Sequence, residues 1–181
     1  IADLKSKRIT EWLKARERDT HLLAENTLYT GLYRQRDDAF QSNGREQLMA
    51  QLVEFISIRG FSAATLFSPA GKTLWQTSGA GSLNSRLRHA FTKVKAGHVM
   101  RVGPYLDEQG QSRLDFIAPL PIKGAPSPFI VLQITSSNWL NNILKQWPIP
   151  DSSGEALLFR KQGDQVQFLN DVRYRPASAL T

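Results

Sequence analysis

Cysteine is absent from the 181 residues. That excludes disulfide staples and thiol chemistry, and it fits either an oxidising or a reducing compartment. No apolar run approaches the roughly 20 residues that a bilayer-spanning helix needs, and no signal-peptide pattern is present. Histidine is scarce. His21, His89 and His98 are scattered, and no His or carboxylate pairing has metal-ligand spacing. No nucleophile elbow, phosphate-binding loop or paired-histidine helix appears. The "GAG" at Gly79–Gly81 lacks the rest of a nucleotide fingerprint and reads as a flexible turn. With these routes to catalysis missing, the expectation for this segment is a binding domain, not an enzyme, without cofactor or metal.

What is present suffices for a core. Hydrophobic residues make up 41% and charged residues 22%, a composition of folded and not of disordered chains. The formal net charge is +7 and the sequence pI is near 9.9. Such a balance can serve nucleic acid or an anionic membrane surface. The basic residues read as spread along the chain, however. The densest stretch, "KSKRITEWLKARERD" (Lys5–Asp19), interleaves them with Asp and Glu, as on the solvated face of a helix. No nucleic-acid motif accompanies the charge, so no nucleic-acid partner is expected.

From Ala2 to about Tyr33 the apolar residues Leu4, Ile9, Trp12, Leu13, Leu23, Leu28 and Leu32 recur at helical spacing without a proline. This predicts one helix about 48 Å long, at roughly 1.5 Å per residue, ending near Gly31. A second helix follows, with Leu48, Leu52 and Ile56 among its apolar positions and Gly60 as its C-terminal cap. The period then changes. "FSAATLF" and "KTLWQTS" flank the turn Ser68–Gly71 as two strands. "SLNSRLRHAFTKVKAG" reads as a short helix capped by Ser82, with Gly97 past its end. "HVMRVGPYL" and "RLDFIAPLPI" are joined by "DEQGQ", "PFIVLQITSS" supplies a fifth strand, and "NWLNNILKQW" a helix stopping before Pro148. Consecutive hairpins with helices grouped around them predict an α+β domain on one five-stranded antiparallel sheet.

The entry helix with "WLKARERDTHLLAEN", the "LFSPAGKTLWQTSG" hairpin, "LDFIAPL", and the closing "QWPIPDSSGEALLFRKQGDQVQFLNDVRYRP" together resemble the double-Cache (PAS-like) sensor domains of bacterial transmembrane signalling proteins. The resemblance covers nearly the whole chain. It implies an extracytoplasmic input domain anchored in the inner membrane, with a sensor histidine kinase of a two-component system or a cyclic-di-GMP enzyme as the parent. It also implies a sheet in spatial order 2-1-5-4-3 with the long helix on one face. Residues 1–150 would form the membrane-distal lobe, and residues 151–181 the start of a truncated membrane-proximal lobe. Strands Glu155–Lys161 and Gln165–Asn170 would open that second lobe. The chain begins at Ile1, inside a helix-like run. The expectation is therefore of flanking transmembrane helices before and after this segment in a longer protein.

Alternation on the third and fourth strands suggests a pocket. With Gly103 opposite Asp115, the apolar sets Met100, Val102, Leu106 and Leu114, Phe116, Ala118 coincide. Arg101 and Tyr105 then become diagonal neighbours of Asp115 on one mixed face. Arg101 would hold an anionic group, Asp115 an amine or hydroxyl, and Trp75 a pocket wall, giving a small anionic or zwitterionic ligand. The competing readings are a solvent-exposed ion pair on a sheet edge and an ordinary core tryptophan. Amino-acid-binding members of the resembled family carry an arginine two residues before a pocket tryptophan. Here Thr73 holds that place before Trp75, which argues against an amino acid. A different class of function is a dimerisation or docking module without a small ligand, in which the N-terminal helix pairs across a two-fold axis.

Overall fold

Helix α1 spans Ala2–Glu25 and α2 spans Thr27–Arg34, where the sequence pattern reads as a single helix. The computed structural model, which describes residues 2–34, 42–135, 159–162 and 164–169, shows why. The carboxamide oxygen of Asn26 accepts the Leu28 N–H at 3.0 Å. A short polar side chain that satisfies the first donors of one helix interrupts the one before it. Helix α1 is therefore about 36 Å long, and Gly31 lies inside α2 instead of ending the run.

Helix α3 covers Ser42–Ile58. Gly60, at φ +73, turns the chain out of it. The Phe61 N–H then reaches back to the Ile56 carbonyl at 2.8 Å, as in a Schellman closure. Helix α4 covers Ser85–Lys93, and its N-cap is Asn84, whose side chain accepts the Leu87 N–H at 2.9 Å. The sequence reading placed that cap two residues early, at Ser82.

The strands β1 (Ala63–Phe67), β2 (Thr73–Gln76), β3 (Met100–Leu106), β4 (Ser112–Pro119) and β5 (Phe129–Thr135) form one antiparallel sheet in the order β2-β1-β5-β4-β3. A second, two-stranded sheet pairs β6 (Phe159–Gln162) with β7 (Gln165–Phe168). The architecture is α+β with an N-terminal helix and a five-stranded antiparallel sheet, consistent with a PAS-like fold. No described helix is long and apolar enough to cross a membrane. The expected helix "NWLNNILKQW" and the expected lobe boundary near residue 150 lie outside the described residues.

By contacts the chain divides into two compact units. One is Ile1–Glu11 with Gly103–Leu114 and Thr135–Thr181; the other is Trp12–Val102 with Asp115–Ile134. The second holds the main core. Within it β1 and β5 pair with Ala63 opposite Gln133, Thr65 opposite Val131 and Phe67 opposite Phe129. Opposed residues share a face, and neighbours along a strand point to opposite faces. One face, with Phe67, Val131 and Ile117, packs against Leu87 and Ala90 of α4. Phe91 of α4 stacks on Phe129 at 4.3 Å between ring centroids. On the other face Phe116 meets Phe61 edge-on at 5.9 Å. The Arg16 guanidinium of α1 lies 5.6 Å over that Phe61 ring and 5.8 Å from Trp12. The described part of this unit is thus helix, sheet, helix.

Candidate functional site

The face under α4 is apolar apart from a few polar groups. Asp115 is fully buried and Gln133 is 1% exposed. The Gln133 carboxamide donates from Nε2 to Asp115 Oδ1 at 3.2 Å and accepts the Gly81 N–H on Oε1 at 2.7 Å. Because the amide N–H can only donate and the carboxylate only accepts, these partners fix the orientation of the carboxamide. Thr65 is diagonal to Gln133 across the β1–β5 pairing and fully buried, and its Oγ1 has no hydrogen-bond partner among the described residues. A buried hydroxyl left without a partner costs about 1–3 kcal/mol. The Gly81 N–H ties the segment between β2 and α4 to this cluster through Gln133.

Arg101 does not join it. Its guanidinium lies 3.4 Å from Glu17 of α1, while its neighbours Met100 and Val102 pack on the α4-side core with Ile117. Arg101 and Asp115 therefore project to opposite faces, and the expected mixed face carrying both is not formed. The apolar partner set for Met100 and Val102 is the one containing Ile117, not the one containing Phe116. Gly103 lies between Arg101 and the turn from which the strand alternation is counted. At φ +113 it departs from strand geometry, and a shift of one residue exchanges the faces of a strand.

Tyr105 is buried. Arg113 is also buried and donates from Nε to Asp107 Oδ2 at 2.7 Å. Asp107 further accepts the N–H groups of Gln109 and Gln111, at 3.0 and 2.8 Å, and so organises the turn between β3 and β4. Burial alone would raise the Asp107 carboxyl. The hydrogen bond from Arg113, that from Gln111, the Arg113 charge and the Gln109 N–H outweigh it and hold the group below its ordinary value.

Trp75 sits opposite Leu66 on the edge strand β2. It lines a cleft of about 600 Å³ with Met49, Val53 and Ile56 of α3 and Phe61. It belongs to the face that meets α3, opposite the α4 face that carries Asp115. Of the four residues singled out from sequence, Asp115 alone takes part in the buried cluster. Gln133 and Thr65 were missed. The available signal was a lone glutamine between Leu132 and Ile134 on an otherwise apolar strand.

Among the described residues no group of three or more His, Cys, Asp or Glu is placed to hold a metal ion. No protein-family model matches the sequence, and no curated protein matches it.

Proposed function

We propose that the chain is the ligand-sensing input domain of a bacterial transmembrane signalling protein, extracytoplasmic and flanked by inner-membrane helices. The parent would be a sensor histidine kinase first, and otherwise a diguanylate cyclase or phosphodiesterase, with the enzymatic step outside this segment. The observation that carries the reading is the buried Asp115–Gln133 pair on the α4 face of a 2-1-5-4-3 sheet. A carboxyl group set in an apolar core is stable only with hydrogen-bond partners, and Gln133 is one of those that Asp115 has. It is well suited to receiving the ammonium or hydroxyl of a small zwitterionic or amine-bearing molecule. Gly81, tied to Gln133, couples occupancy of that face to the loop before α4.

A thermal-shift screen of carboxylates, amines and amino acids tests this. A ligand at about 100 times its dissociation constant stabilises the native state by roughly 2.7 kcal/mol. For a chain of this size that is a midpoint rise of about 5–11 °C. Asp115→Asn should lose the response while Arg101→Ala keeps it. A screen without any response counts against the reading.

A second reading has its own support. Leu22 and Leu28 are 61% and 57% exposed on the N-terminal helices. Apolar side chains left in water there suit pairing of that surface across a two-fold axis. Sedimentation then shows a dimer that Leu22→Glu dissociates, with no small ligand required.

A further inference from the structure

The excess positive charge of this protein is confined to one part of it. Between Phe55 and Leu106 there is no Asp or Glu, while Arg59, Lys72, Arg86, Arg88, Lys93, Lys95 and Arg101 contribute seven cations. The whole chain has 23 Lys and Arg against 16 Asp and Glu, so the residues outside this span balance at 16 each. The net charge of +7 therefore belongs entirely to the stretch from the end of α3 to β3. That stretch includes α4, whose buried side is Leu87 and Ala90 and whose basic side chains are exposed.

Part of this charge converges. Lys93, Lys95, His98 and Arg101 line a concavity of about 440 Å³ between the end of α4 and the start of β3. Gly97, at φ +73, makes the turn that brings them around. The carbonyl end of α4 accounts for Lys93, since a cation in the last turn complements the helix dipole. It does not account for Lys95, His98 and Arg101, which lie beyond the helix. Among the described residues Glu17 is the one carboxylate on the lining. It meets Arg101 at 3.4 Å, with both side chains more than a third exposed, a pair worth little in water. Among the described residues Lys93, Lys95 and Arg101 against Glu17 leave a formal surplus of two positive charges, although Lys93 also complements the carbonyl end of α4.

We propose that this concavity is an anion site for a divalent oxyanion group of the phosphate type, held by Lys93, Lys95 and Arg101. Two surplus charges match a dianion, and guanidinium and ammonium groups are the usual side-chain donors to phosphate oxygens. Arg101 would exchange the Glu17 carboxylate for the oxyanion. A free phosphate ester and a lipid headgroup present the same chemistry. The site lies on the edge-strand side of Arg101, away from Asp115, so it stands or falls independently of a ligand under α4.

The test is calorimetric titration of the 181-residue chain with inorganic phosphate at low ionic strength and about pH 8, where a phosphate group is close to dianionic. Acetate is the singly charged control. Vesicles of phosphatidic acid, against phosphatidylcholine, form the second arm. Phosphate binding that outcompetes acetate assigns a free ligand; capture by phosphatidic acid vesicles alone assigns a headgroup. In either arm Lys93→Gln with Lys95→Gln should weaken binding by about tenfold or more, the equivalent of at least one charge-assisted hydrogen bond. Glu17→Gln, which removes the competing carboxylate, should tighten it severalfold. All three positions are solvent-accessible, and circular dichroism confirms that the variants fold. Neither probe binding, an unaltered affinity in the double variant, or weaker binding in Glu17→Gln overturns the proposal.

Discussion

Gln133 joins Asp115 to Gly81, donating to the carboxylate at 3.2 Å and accepting the glycine N–H at 2.7 Å. A strand residue thus ties a buried carboxyl group to the segment that leads into α4. Gln133→Leu keeps the volume and removes both bonds. It should destabilise the chain by about 2–4 kcal/mol, because a buried carboxylate loses a donor and a backbone N–H loses its acceptor. Urea unfolding measures this. Gln133→Leu within about half a kcal/mol of the parent would mean that the two bonds contribute nothing net.

Asp107 and Arg113 make a pH dependence that can be worked out in sign. The Asp107 carboxyl is held below its ordinary value in the folded chain. Its ionised form therefore contributes stability that is present above the unfolded-state value and lost as pH falls through the folded one. Arg113→Met removes the 2.7 Å bond and the charge, so Asp107 should titrate higher and that acid-side loss should shrink. At neutral pH the variant should be less stable by about 2 kcal/mol, since a largely buried carboxylate loses its partner. Carboxyl titration by NMR, with stability measured across the acid range, checks both. An Asp107 that titrates unchanged in Arg113→Met contradicts the assignment.

Gly103 is held where no other residue fits. Its φ is +113, and a Cβ there would come within 2.7 Å of the Arg113 carbonyl oxygen, a backbone atom. Gly103→Ala should cost about 2 kcal/mol or more, from the disfavoured dihedral together with a clash that side-chain motion cannot relieve. Urea unfolding of this variant with a loss under about half a kcal/mol would show that the strand relaxes around the methyl group.

Trp12 and Phe61 flank the Arg16 guanidinium at 5.8 and 5.6 Å. Trp12→Ala removes a half-buried aromatic and one of the two rings beside that cation. A loss of about 1–3 kcal/mol follows, or several degrees in the thermal midpoint. An unchanged midpoint together with loss of a dimer in sedimentation would instead place Trp12 in a subunit contact.

The strands and their turns were legible because alternation of period two ends at glycines that turn the chain, as at Gly71 and Gly110, both at positive φ. The sheet order came with the resemblance, and the sheet has that order. Two helix details escaped the reading because polar side chains decide them. Asn26 breaks an otherwise helical pattern by capping α2, and Asn84 caps α4 in place of the nearby Ser82. Of the buried cluster of Asp115, Gln133 and Thr65, the sequence pattern singles out Asp115 alone. Alternation along β3 was carried through Gly103 as though the strand were regular, which set Arg101 on the wrong face. Gln133 was hidden by its apolar neighbours, whose pattern identifies a strand but not what a lone amide on it holds.

The most direct measurement of the central claim follows the Gly81 amide by NMR or hydrogen exchange while a compound from the thermal-shift screen is titrated into the chain. Ligand bound beside Asp115 and Gln133 should change the Gly81 resonance or its protection in a saturable way. Asp115→Asn should abolish that response, and Arg101→Ala should leave it intact. A compound that stabilises the chain while the Gly81 amide stays unaffected, or whose effect disappears in Arg101→Ala and survives in Asp115→Asn, contradicts the account.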